Sequence, residues 1–282
     1  MSQRTALTSP LTVKTLLIAA LALCAVAGPG SAQTPVPTAD QIIDQAVERA
    51  RLQREAEADI GFESTVEAIT EHLNGDGEVE KTERATYRQY AVEGVLYEEL
   101  VAREGEALSS DDIRNELKLK EEFAEDIRER LEKGEDPEPE DENRVDFDQD
   151  FVGRFRFTLE GEVVVDEHLC WVIYLEPRDE NLPVRRNIDH ALNNSTGRIW
   201  VSQDDFGVAR VEFEMAKSVK FWGGIMGSLR STTGRLEFTR VAPDVWLPNT
   251  IEIKFDVRII IRSIRRRIIR EWDEYTPHSA AD

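Results

Sequence analysis

The run from Ile251 to Arg262 constrains the fold most. Ile251, Ile253, Phe255, Val257, Ile259 and Ile261 are apolar, and Glu252, Lys254, Asp256, Arg258 and Arg262 alternate with them, Ile260 being the exception. A period of two sustained over this length gives an extended strand with one apolar and one charged face. A helix would scatter the same apolar residues around its circumference. A strand half-buried on one face belongs to an antiparallel sheet. The continuation "RSIRRRIIREW" is less regular: Ile260, Ile264, Ile268 and Trp272 are spaced by four, which leaves a basic amphipathic helix open. Isoleucine is a middling helix former, however, and no cap or breaker divides this part from the strand before it. The preferred reading is a hairpin turning near Ser263 to Arg266. Arg258, Arg262, Arg265, Arg266, Arg267 and Arg270 then lie on the outer face or at the turn, where neighbouring carboxylates can pair with them. Their functional reading is a docking face for an acidic partner or for lipid headgroups.

The same rhythm runs back through the chain. "GFESTVEAITEHL", "NGDGE" and "VEKTERATYRQYAV" read as strand, turn, strand. Phe155, Phe157 and Leu159 share a face, as do Leu169, Trp171, Ile173 and Leu175. Further hairpins follow in "GRIWVSQDDFGVARVEFE" and "GRLEFTRVAPDVWLPNTIEIKF", with Arg178 to Thr196 as a polar loop. Two stretches have the helical period. One runs from about Asp40 to Ala58, with Thr38 or Asp40 as cap. The other follows Ser109 or Ser110, with Ile113, Leu117, Phe123, Ile127 and Leu131 inside and Gly134 at its end. "EDPEPEDENRVDFDQD" is a proline-broken acidic linker.

Residues 1–32 read as a signal peptide: Arg4 and Lys14, an apolar run too short to span comfortably, then small residues before a cut after Ala32. A retained anchor and lipidation at Cys24 are the alternatives, although Leu23 departs from the lipobox. After cleavage Cys170 is the one cysteine, so the fold is held by burial without an intrachain disulfide. A formal net charge of -21 argues against DNA or RNA as a partner. The expected product is periplasmic, with the domain plan 33–60 spacer and helix, 61–276 β domain carrying a charged insertion at about 109–150, and 277–282 tail.

The order of these pieces resembles the LolA-like superfamily of bacterial outer-membrane lipoprotein-sorting proteins. The resemblance is carried by Gly197-Arg198-Ile199-Trp200-Val201, by Asp204 and Asp205 at a turn, and by Trp246-Leu247-Pro248 opening a strand. It covers roughly residues 62–275. It implies an α+β fold: a large curved antiparallel sheet, an unclosed half-barrel, wrapped around helices. It also implies an apolar concave face that holds lipoprotein acyl chains or another lipid. Others of the same fold sense misplaced lipoproteins, which would make the chain an envelope-stress sensor or protein-interaction module. The charged insertion is a departure from the small periplasmic carrier.

"KFWGGIMGSL" interleaves Phe221, Trp222, Ile225, Met226 and Leu229 with glycines. It reads either as an apolar lip over a cavity mouth or as a loop tucked into the core. Trp171, Trp200 and Trp246 are core or cavity-lining residues. Asp204 and Asp205 suit a hairpin turn without further chemistry. No GxSxG elbow or HExxH helix is present, and the four histidines are scattered. The expectation is a non-catalytic binding protein with no cofactor and no metal.

Overall fold

The computed structural model describes residues 36–56, 58, 61–138, 145–178, 182–221, 227–260 and 262–277, without the Phe221 side chain. The expected signal peptide, part of the acidic linker, and Trp222, Ile225 and Met226 therefore lie outside the described residues. Residues from Pro37 onward form one compact unit.

The chain opens with helix α1 (Ala39–Glu55) and strands β1 (Phe62–Leu73), β2 (Val79–Val92), β3 (Val95–Arg103) and β4 (Glu106–Ala107). Helices α2 (Ser110–Lys133) and α3 (Gln149–Arg154) follow, then β5 (Phe155–Val165), β6 (His168–Pro177) and helix α4 (Asn187–Leu192). The remainder is β7 (Ser195–Ser202), β8 (Val208–Met215), β9 (Val219–Phe221), β10 (Gly227–Ala242), β11 (Val245–Ile259), β12 (Arg262–Trp272) and β13 (Thr276–Pro277). The strands form one antiparallel sheet in the order β4-β3-β2-β1-β12-β11-β10-β8-β7-β6-β5, with β13 beside β1 and β9 beside β10. The two ends of this order are not joined, so the sheet is not closed into a barrel. The pairing of β1 with β12 brings the beginning and end of the domain together at its centre.

Local chemistry explains the helix limits. Thr38 accepts from the Gln41 backbone and Gln41 reaches back to the Thr38 N–H, a complete capping box. Ser109 caps α2, and Gly134 closes it at φ 71°, the left-handed region that glycine tolerates. Two expectations need correction. Arg178 to Thr196 is not all loop, because α4 lies inside it, anchored by Asp189. Of the five α2 residues expected inside, only Ile127 is buried; Ile113, Leu117 and Leu131 are exposed. The helix meets β3, next to the two-residue edge strand β4, where Phe123 packs on Tyr97, and so covers little.

Residues paired across antiparallel strands share a face, so the register traces the two faces from strand to strand. Ile173, Ile199, Val211, Leu236, Ile251 and Arg270 form one row on the face that α1 occupies, here the inner face. Ile42, Ile43, Ala46 and Val47 of α1 bury against Phe155, Trp171, Ile173, Leu175, Ile199 and Val201, making the main core. At its far end the helix reaches β11: Gln53 donates to the Trp246 carbonyl at 2.9 Å and accepts from the Trp246 N–H at 3.1 Å. Helix α2 packs beside Tyr90 and Tyr97, which the register places on the opposite, outer face. The helices thus do not all lie within the curve of the sheet.

Candidate functional site

The β11–β12 hairpin carries the most informative surface. Strand β11 ends at Ile259, which pairs with Arg262, and Ile260 takes φ 53°. The turn therefore comes before Ser263, not at Ser263 to Arg266. The longer ladder lets outer-face charges match: Arg265 donates to Asp256 at 2.8 Å, and Arg267 to Glu252 at 2.7 Å and to Glu71 at 3.4 Å. Arg267 holds the Glu252 carboxyl below its ordinary value by its hydrogen bond and charge, against the upward push of burial. This outer ladder continues through Arg235, Glu212, Arg198 and Glu160. It lies beside an outer pocket of about 480 Å³ lined by Tyr174, Arg198, Glu212, Arg235 and Glu252. Arg258 is exposed and donates to the Ile260 carbonyl.

Arg266 and Arg270 do not share that outer position; the same register puts both on the inner face. Arg270 donates to Glu98 and stacks 5.1 Å from the Trp272 ring centre. Gln89 joins them, donating to Glu98 at 3.0 Å and accepting from the Trp272 indole at 3.1 Å. This polar cluster bounds an apolar stretch. Ile251, Ile253, Phe255 and Val257 of β11 face Arg270, Ile268, Arg266 and Ile264 of β12. All four of these β11 residues, and Ile264 and Ile268, are half-buried and lie outside the main core that α1 seals. The spacing by four of Ile264, Ile268 and Trp272 is a multiple of two, so these residues share the inner face of a strand.

The other sequence candidates fall elsewhere. Trp171 is buried in the main core, stacked on Phe206 at 5.5 Å. Trp200 and Trp246 are buried in a second cluster with Val165, Cys170 and Ala209. Leu229 of β10 is half-buried and pairs with Val257, so it borders the apolar stretch. Arg262 is exposed at the start of β12. The Cys170 thiol is pushed up to about 11 by burial and stays protonated, a poor nucleophile. Among the described residues no group of His, Cys, Asp and Glu is arranged to hold a metal ion.

Asp205 is more than a turn former. It accepts from the Trp246 indole at 3.0 Å and from the Gly207 N–H at 3.0 Å, and Arg240 lies 3.2 Å away. Burial alone would raise its pKa. The Trp246 and Gly207 bonds, with Ser202 and the Arg240 charge, outweigh burial and hold the carboxyl below its ordinary value. A depressed folded pKa contributes stability that is complete above the unfolded value of about 3.9 and is lost as pH falls through the folded one. The melting temperature should therefore drop on acidification below about pH 4. In Asp205→Asn that drop should be smaller, from a lower start at pH 7; an identical pH profile in thermal melts of the two proteins would contradict it.

A second pocket, of about 250 Å³, lies where α3 and α4 meet, lined by Asp146, Asp148, Asp150, Arg154, Arg185, Arg186 and Asp189 among others. Arg154 and Asp189 are both buried and 3.3 Å apart. Sequence reading missed this pair, because its members are separated by a loop and share no motif.

No family model matches the chain, and no curated protein sequence does. Among solved structures, the chain is similar to a LolA superfamily protein from Nitrosomonas europaea, at 12% identity and TM-score 0.31, covering 87% of this chain and 96% of that one. It is also similar to a putative outer membrane lipoprotein-sorting protein domain from Vibrio parahaemolyticus, at 10% identity and TM-score 0.32, covering 85% and 95%. A third is the MucA/MucB complex of Pseudomonas aeruginosa, at 11% identity and TM-score 0.25, covering 83% and 100%. These are likenesses at low identity, and the chemistry of the site stands on the geometry above. No described helix is long and apolar enough to cross a membrane.

Proposed function

We propose that the chain is an exported, non-catalytic binding module that shelters an acyl chain on the inner face of β11 and β12, as a carrier in periplasmic lipoprotein sorting. The observation that supports this reading is the stretch formed by Ile251, Ile253, Phe255 and Val257 with Ile264 and Ile268, half-buried on the face that carries α1 and outside the core that helix closes. Apolar area removed from water is worth roughly 25 cal/mol per Å². A hydrocarbon chain lying along these residues therefore binds through burial, without a precisely placed polar group. The cargo is a lipoprotein acyl chain or another lipid-like molecule.

The test is a titration with a neutral acyl probe, a pyrene-labelled long-chain alcohol. Ile253→Asn together with Ile268→Asn should weaken binding by about tenfold or more, equivalent to at least about 1.4 kcal/mol. Circular dichroism should report the same strand content. Unchanged affinity in the folded double variant would remove the inner face as the site.

The exposed Ile113 and Leu117, one turn apart on α2, favour a second reading, a protein-interaction module acting in envelope sensing. On that reading Ile113→Ser plus Leu117→Ser abolishes recovery of a protein partner from envelope extract and leaves probe binding intact. Recovery that survives these changes excludes α2 as the docking element.

A further inference from the structure

Of the two arginines that this hairpin places on the inner face, Arg270 is matched by Glu98 and Arg266 is not. Its register partners are Phe255 on β11 and His72 on β1, and Ile264 and Ile268 precede and follow it on the same face of β12. It has no hydrogen bond or ion pair with any described residue, and its buried Nε has no acceptor. Its neighbours are all matched: Arg265 with Asp256, Arg267 with Glu252 and Glu71, Arg270 with Glu98. In a chain with 56 acidic and 35 basic residues, a guanidinium without a carboxylate is conspicuous. The charged groups on its side of β1 and β2 are already engaged with each other: Lys81 pairs with Glu83, and His72 lies 3.4 Å from the same carboxylate.

Resting on the reading proposed above, we infer that the ligand of the inner face is a long-chain carboxylate, an anionic single-chain amphiphile, with its head on Arg266 and its tail along Phe255, Ile253 and Ile268. Three features select this chemistry. A half-buried cation among apolar side chains is costly without a counter-ion, and a ligand anion supplies one. One guanidinium fork matches one planar carboxylate in two parallel hydrogen bonds. A net charge of -21 opposes approach to an anionic bilayer surface but costs little for a single charge delivered into the site. From Arg266 to Arg270, where the Gln89–Glu98–Arg270 cluster closes the stretch, four residues of strand give the tail about 13 Å of apolar face along β12.

The experiment titrates the wild-type protein and Arg266→Gln with two probes of equal chain length, a pyrene-labelled fatty acid and the matching alcohol. The wild type should bind the acid about tenfold more tightly than the alcohol. Arg266→Gln should abolish that preference and leave alcohol affinity unchanged. Equal affinities in the wild type, or a preference that survives Arg266→Gln, would overturn the inference and leave acyl binding intact. Failure of both probes to bind would overturn the inference and the acyl reading together. A third arm uses phosphatidylglycerol vesicles: binding to these that depends on Arg266, without a preference for the free acid, would overturn it in favour of a lipid surface.

Discussion

Asp189→Ala should lower the free energy of unfolding by about 3–5 kcal/mol, the range for removing one member of a buried ion pair. Asp189 is fully buried and Arg154 is 2% exposed, so the change removes one of the two carboxylates that balance a guanidinium held away from water. The carboxylate does three things at once. It faces Arg154 at 3.3 Å, accepts the Arg185 and Arg186 backbone N–H groups at 2.8 and 3.0 Å, and takes a hydrogen bond from the Arg186 side chain. Burial pushes its pKa up, and these backbone bonds and the Arg154 charge together pull it below the ordinary value. Arg154 keeps Asp150, the Pro183 carbonyl and Asn193, which is why the loss should not exceed this range. Chemical denaturation of the two proteins measures it. A change below about 1 kcal/mol would mean that the pair is open to solvent.

Gly207→Ala should cost about 3 kcal/mol, the upper part of the range for forcing atoms into a filled site. A Cβ at position 207 would lie 2.0 Å from the Trp246 indole nitrogen and 2.2 Å from its Cδ1. The indole cannot simply swing aside. Asp205 holds its N–H, Gln53 holds its backbone on both sides, and the His168 ring packs 4.9 Å from it. Displacing Trp246 would therefore loosen the α1 end, the β7–β8 turn and the second core together. Gly153→Ala is the matched control: nothing lies within 4 Å of the new methyl, and alanine favours the helix it joins. Equal melting temperatures for the two variants would show that the crowding at Gly207 is relieved at little cost.

The strands were legible wherever one face is apolar and the other charged, because a period of two admits few other solutions. Ile251 to Val257 is such a case, and the observed strand β11 contains it whole. The caps at Thr38 and Ser109 and the closing Gly134 were legible for the same local reason. The turn of the last hairpin was not. Ile260 is a poor turn residue, and its location is set by distant matches such as Asp256 with Arg265 and Glu252 with Arg267. Assigning Arg266 to the turn concealed its place on the inner face; the even numbering it shares with Ile264 and Ile268 was the available signal. Likewise, a helix pattern on α2 announces an apolar stripe but not whether the sheet edge at β3 and β4 covers it. Trp171, Trp200 and Trp246 read in the sequence as either core or cavity-lining residues, and burial places them in the two packed clusters, while the roles of Asp205 and Asp189 depend on contacts made across the sheet and between short helices.

The most direct measurement is photo-crosslinking with a long acyl chain carrying a diazirine near its middle, followed by peptide mapping. Labelling should concentrate on β11 and β12 at Ile253, Phe255, Ile264 and Ile268 and be competed by unlabelled chain. Labelling confined to α2 or to the outer face, or spread without competition, would contradict an acyl site on the inner sheet.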